Sequence, residues 1–124
     1  MNTKTIGDMG ERLAARYLWL HGYFITHRNY KTKHGEIDII ARRGRYTVFV
    51  EVKTRTEQPT DRYGRPANAV DYNKRQHIRY AAQAFMRRSN KQHKPRIDII
   101  EVYLSPDRKK HRINHITGAF GAGG

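Results

Sequence analysis

Gly35-Glu36-Ile37-Asp38-Ile39-Ile40-Ala41-Arg42-Arg43-Gly44-Arg45-Tyr46-Thr47-Val48-Phe49-Val50-Glu51-Val52-Lys53-Thr54 is the stretch on which the fold turns. Ile, Val and Phe crowd positions 36–42 and 46–54, so each segment reads as a strong strand. The short basic segment between them contains Gly44, and a two-residue turn at Gly44-Arg45 suits type II′, which wants glycine first. Arg43 then pairs with Tyr46. Counting outward places Asp38 opposite Glu51, with Cβ atoms roughly 4.5–5.5 Å apart. A turn shifted to Arg43-Gly44 keeps both acids on one face but makes them diagonal, and a three-residue loop separates them.

Outward from this hairpin the pattern alternates. Ile6, Met9, Leu13, Tyr17 and Leu20 follow helical spacing, which predicts a helix over 8–21 stopped at Gly22. Ala14, Ala15 and Leu18 make a second apolar stripe, leaving Arg12 and Arg16 in a wedge for solvent or ligand. Residues 23–30 read as a strand, closed by a turn at Lys33-His34-Gly35. Pro59, Gly64 and Pro66 mark 56–68 as a polar loop. Asp71 is placed to cap a second helix running to about Arg88, with Ile78, Ala81, Ala82, Phe85 and Met86 as its stripe. A nearly continuous apolar strand spans 96–104. The order is α-β-β-β-α-β, which makes one α/β domain over 1–104. The basic, Gly-rich remainder, 105–124, is expected to be a mobile tail.

Charge narrows the partner. The chain has 124 residues with 25 Lys plus Arg against 11 Asp plus Glu, a net charge of +14. Such a field attracts polyanions. The basic residues are spread over strands, loops and helices, whereas a membrane-surface binder concentrates them on one amphipathic helix. Nucleic acid is therefore favoured over a membrane. An acidic protein partner is not excluded, but it leaves the paired acids without a purpose. With no cysteine, disulfides and Cys-type zinc sites are ruled out. No apolar leader or spanning run is evident, so a cytoplasmic location is expected.

Glu51 and Lys53 share one face of their strand. Alone, Glu-x-Lys is a commonplace solvated pair. Across from Asp38 it is not, because two carboxylates at that spacing repel unless a cation joins them. Mg²⁺ is typically held by one or two carboxylates, with water and phosphate oxygens completing its shell. Mn²⁺ can substitute. Lys53 would then orient a nucleophile or stabilise charge developing on phosphate oxygens. Glu11 has two readings: a capping box with Asp8, or a carboxylate that extends the Ala14, Ala15, Leu18 stripe toward the site. Lys74 either faces the site or caps a packed edge. Arg12, Arg16, Arg55, Lys74, Arg75 and Arg79 are candidate contacts to a nucleic-acid backbone, although individually each is an ordinary surface charge. Gln76 and Tyr80 project away from the apolar stripe, and His111 and His115 lack a carboxylate to complete a metal site.

Gly10-Glu11, Arg28-Asn29, 35–40, 49–55, Lys74 and Arg96-Ile97-Asp98 together resemble the YraN family of small bacterial proteins, over nearly the whole chain. That family is similar to archaeal Holliday-junction resolvases and to the PD-(D/E)XK nuclease superfamily. The resemblance implies a restriction-endonuclease-like, resolvase-like core with a mixed sheet flanked by helices, and a Mg²⁺-dependent endonuclease acting on DNA, branched or otherwise shaped. By position it puts the superfamily's acids on Asp38 and Glu51, its lysine on Lys53 and the first-helix acid on Glu11. It also raises a homodimer, since resolvase-like proteins commonly act as dimers. The runner-up is a nucleic-acid-binding module that keeps the nuclease fold without turnover.

Overall fold

The computed structural model describes residues 3–57, 72–89 and 92–122. Seven elements follow in order: α1 (Thr3–Leu20), β1 (Phe24–Thr32), β2 (Gly35–Arg43), β3 (Tyr46–Thr56), α2 (Tyr72–Arg87), β4 (Lys94–Leu104) and β5 (His111–Phe120). The strands form one sheet in sequence order, β1-β2-β3-β4-β5. β3 and β4 run parallel while every other neighbouring pair is antiparallel, so the sheet is mixed. The parallel pair needs a crossover, and α2 lies within it.

The helices cover opposite faces. Ala14 and Leu18 of α1 pack with Ile39, Ala41, Val48, Val50, Ile100 and Val102. Ile78, Ala81 and Ala82 of α2 pack with Ile40, Phe49, Ile97 and Ile99. The central strands are thus buried on both sides, which is why 96–104 reads as a nearly continuous apolar run in place of an alternation. Among the described residues, no helix is long and apolar enough to cross a membrane.

Three expectations need correction. α1 begins at Thr3, five residues before the predicted start, so Asp8 lies inside the helix and the Asp8…Glu11 capping box does not form. β3 continues to Thr56, and the Glu57 amide donates to the Leu104 carbonyl at 2.8 Å; the rest of the predicted loop, and the Asp71 cap, lie outside the described residues.

The third correction concerns the tail. Over 111–120 it is an edge strand, paired with β4 from Leu104–His111 to Ile97–Phe120, so the sheet extends past the boundary expected at residue 104. Ile113, Ile116 and Phe120 pack it onto the core, and a polar network anchors it. Asp98 of β4, fully buried, accepts from the Gly118 amide at 3.0 Å and from His115 Nε2 at 2.7 Å. Arg96 closes the other side of the same carboxylate at 2.8 and 2.9 Å and donates on to the Tyr23 hydroxyl at 2.6 Å.

Candidate active site

The β2–β3 hairpin has the predicted register, Arg43 with Tyr46. Gly44 takes a positive φ of 57° and Arg45 does not, as a type II′ turn requires. The ladder runs to Ile39–Val50 and stops one pair short of the two acids. β2 stays with β1 as far as Gly35, while β3 goes on with β4 to Thr56, so a notch opens between them. Asp38 sits in that notch. Its Oδ2 accepts the Val52 amide at 2.8 Å, taking over a main-chain donor that the departing strand leaves behind.

Asp38 and Glu51 also hydrogen-bond to each other. Burial, that bond and the Glu51 charge together push the Asp38 carboxyl up to about 8, against the opposing pull of the Val52 amide and Lys74. Two acids here cannot both ionise cheaply, so they share a proton. Glu51 is 6% exposed, and its Oε2 lies 3.3 Å from Lys74 Nζ. That contact is an ion pair without hydrogen-bond alignment, and the oxygen has no hydrogen-bond partner among the described residues.

A cleft of about 310 Å³ opens on this pair, walled by Glu11, Lys53, Thr54 and Lys74 besides the two acids. It draws its residues from α1, β2, β3 and α2. Glu11 is brought in because α1 touches β3 at Gly10: a Cβ there would fall 1.7 Å from Thr54 Oγ1, so only glycine allows this approach. Burial and then the Asp38 charge raise the Glu11 pKa, with smaller contributions from Glu36 and Asp8 and a counter-pull from Arg28. Asn29 steadies it. With its amide nitrogen toward the acids, Asn29 donates to Glu11 Oε1 at 2.8 Å and to Glu36 Oε1 at 3.0 Å. Its φ of 53° is a left-handed conformation that asparagine tolerates better than most residues.

Among the described residues no three His, Asp or Glu side chains converge closely enough to enclose a metal by themselves. Mg²⁺ does not need such a cage: one or two carboxylates suffice when substrate phosphate and water supply the rest. Hard oxygen donors, a buried Glu51 oxygen without a hydrogen-bond partner, and two acids that repel when ionised fit a small divalent cation.

Asp38, Glu51, Lys53, Glu11 and Lys74 therefore meet in one cleft. The other predicted basic residues do not join them. Arg12 borders a neighbouring recess. Arg16 lies farther along α1, beside Leu13, Tyr17 and Leu20. Arg55 is the β3 partner of Tyr103 in the β3–β4 ladder, with its Nε buried, and does not line the cleft. Arg75 and Arg79 lie over the Phe120 ring, and Arg79 Nε donates to the Gly121 carbonyl at 2.7 Å. Gln76 bonds Tyr72 and Arg79, and Tyr80 packs near His34, so neither lines the cleft. His115 serves the Asp98 network and makes no pair with His111. Asn29 is the residue that sequence reasoning missed. Its one local signal is an Arg-Asn pair within a strand, where asparagine is disfavoured.

The model of the family described as "Uncharacterised protein family UPF0102" matches residues 10–102. A UPF0102 protein of Caldanaerobacter subterraneus subsp. tengcongensis is 49% identical over 122 residues, 97% of this chain and 98% of that protein. UPF0102 proteins of Clostridioides difficile and Caldicellulosiruptor saccharolyticus are 42% and 40% identical, each over 97% of this chain and 100% of its own length. The matched block spans α1 from Gly10 through most of β4 and so contains every wall of the cleft that follows Gly10. The chain belongs to the UPF0102 family.

Proposed function

We propose that this protein is a divalent-metal-dependent endonuclease that hydrolyses phosphodiester bonds in DNA, with the restriction-endonuclease-like arrangement that the PD-(D/E)XK resemblance implies. The observation that carries this reading is the Asp38–Glu51 pair, two adjacent carboxyls, one half-buried and one buried, opening on a cleft with two lysines in a chain of net charge +14. Asp38 and Glu51 would hold Mg²⁺ or Mn²⁺, which when bound polarises a phosphate and lowers the pKa of an attacking water. Lys53 sits two residues along β3 from Glu51 and brings a compact positive charge to phosphate oxygens as they gain charge. Lys74, now paired with Glu51, has a phosphate as its alternative partner once that carboxylate is engaged. Glu11, held by Asn29, borders the cleft from the helix side and is placed to orient water. A dimer, in which two such clefts act on two strands, belongs to the same reading.

The test is cleavage of duplex, single-stranded and branched DNA with Mg²⁺ or Mn²⁺. Wild type is expected to cut at least one substrate, and Asp38→Ala and Glu51→Ala to lose on the order of a hundredfold or more of the rate, the scale of losing a principal electrostatic group. Folded protein that cuts none of them, with wild type and Asp38→Ala indistinguishable, would sink the proposal.

One observation favours a non-catalytic nucleic-acid binder as the second reading: Lys74 already neutralises Glu51 without a metal. Mn²⁺ titration separates the two. A catalytic centre binds Mn²⁺ and loses it in Asp38→Ala, whereas a pure binder leaves both proteins alike.

A further inference from the structure

Beside the carboxylate cleft lies a second, larger recess of about 540 Å³, and Glu11 is common to both. Its lining carries two guanidiniums from different elements, Arg12 of α1 and Arg28 of β1, together with Asp8 and Asn29. Both arginines are exposed, and among the described residues neither makes an ion pair, although two carboxylates share the recess. A register shift in β1 between Ile25 and His27, followed by the left-handed backbone of Asn29 within the same strand, breaks the regular alternation on either side of Arg28.

We infer that this recess is a phosphodiester site, seating the backbone phosphate next to the one held at Asp38 and Glu51, with Arg12 and Arg28 as its ligands. The inference rests on the nuclease reading for its register but not for its chemistry. Two guanidiniums present planar forks that match the oxygens of a phosphate, and neither has to break a close ion pair to bind one. The charge balance selects the class of phosphate. Two arginines against Asp8 and Glu11 leave no net charge, so the single charge of a diester is accommodated better than the two of a free phosphate or monoester. Glu11, standing between the compartments and tied to Asn29, then separates two successive phosphates of one strand.

The experiment is equilibrium binding of a short fluorescein-labelled DNA duplex to the full chain, without divalent metal so that no strand is cut. It is run across a salt series with wild type, Arg12→Ala, Arg28→Ala, the double variant, and, as a control, Arg45→Ala in the β2–β3 turn, at the end of β3 opposite Lys53 and Thr54. The double variant is expected to bind at least tenfold more weakly, and its slope of log K against log salt to flatten by about 0.9, one duplex phosphate. Arg45→Ala is expected to match wild type. Unchanged affinity and slope in a folded double variant overturn the inference, even if the protein cuts DNA. Loss of binding in both single variants supports it, even if the protein never cuts. Inorganic phosphate, added at constant ionic strength, is expected to leave the wild-type complex intact. If it displaces the DNA at low millimolar concentration, the recess is a free-phosphate site and the inference falls.

Discussion

Asp38 is an aspartate that the folded chain keeps protonated well above the ordinary carboxylate range. Its pKa moves from 3.8 to about 8, because it is buried and shares a hydrogen bond with Glu51. In the unfolded chain it ionises near its usual value, so folding takes up a proton between about pH 4 and about pH 8. The stability it contributes is therefore fullest below that window and is lost as pH rises through it, at up to about 1.4 kcal/mol per pH unit. Thermal melts from pH 5 upward are expected to show wild type losing stability toward pH 8, and Asp38→Asn losing less. Mn²⁺ is expected to offset more of the loss at the alkaline end, where it displaces the proton. Identical pH slopes in the two proteins would contradict the shared proton. Sequence alone placed Asp38 opposite Glu51 through one glycine and a count along two strands. It did not reveal that the ladder stops just before them, since that depends on where β2 and β3 part company. Asn29 was equally hidden: its role comes from Glu11 and Glu36, which lie far from each other in sequence and meet only in the fold.

Among the elements, β5 owes its place to Asp98. Burial pushes the Asp98 carboxyl up, but bonds from His115, Arg96 and the Gly118 amide outweigh burial and leave it below its usual value. Its contribution is thus present above the ordinary carboxylate range and is lost as pH falls, the opposite sense to Asp38. Asp98→Ala strands Arg96 and the Gly118 amide and is expected to cost about 3–5 kcal/mol, the scale for breaking a buried charged pair. Hydrogen exchange would show it first in the amides of 111–120, with β2 and β3 still protected. Equal protection of β5 in variant and wild type would mean that its ladder and the apolar packing of Ile113, Ile116 and Phe120 hold the strand without Asp98. The sequence predicts a mobile tail here because the contacts that fix the strand are long-range and in part polar. Apolar periodicity senses neither, and the basic run at 108–112 argued for solvent. α1 erred in the other direction: Asp8 and Glu11 had cap-like spacing, yet the helix had already begun at Thr3.

For the whole molecule, the +14 charge acts twice. Like charges oppose compaction, and the same field draws in a polyanion. Salt screens both. Raising salt from low to moderate ionic strength is expected to increase the melting temperature of the free protein while weakening its binding to DNA. Calorimetry and anisotropy on one buffer series check the two trends together, and a melting temperature that falls with salt would show that local ion pairs, not self-repulsion, dominate. Net charge and element order were legible from composition and apolar pattern, apart from β5. Which basic residues gather at the cleft was not, because α1, α2 and the sheet come together through packing that no single segment encodes.

Gly10 works as a shim of zero thickness. The acids of the cleft ride on three separate elements, and the gap between helix and sheet is set where the bare Gly10 backbone meets Thr54. A single methyl group there, aimed within 1.7 Å of the Thr54 hydroxyl, has nowhere to go except by lifting α1. The two strand acids would keep their spacing and Glu11 would swing away, so the gauge of this cleft is held by a residue with no side chain at all.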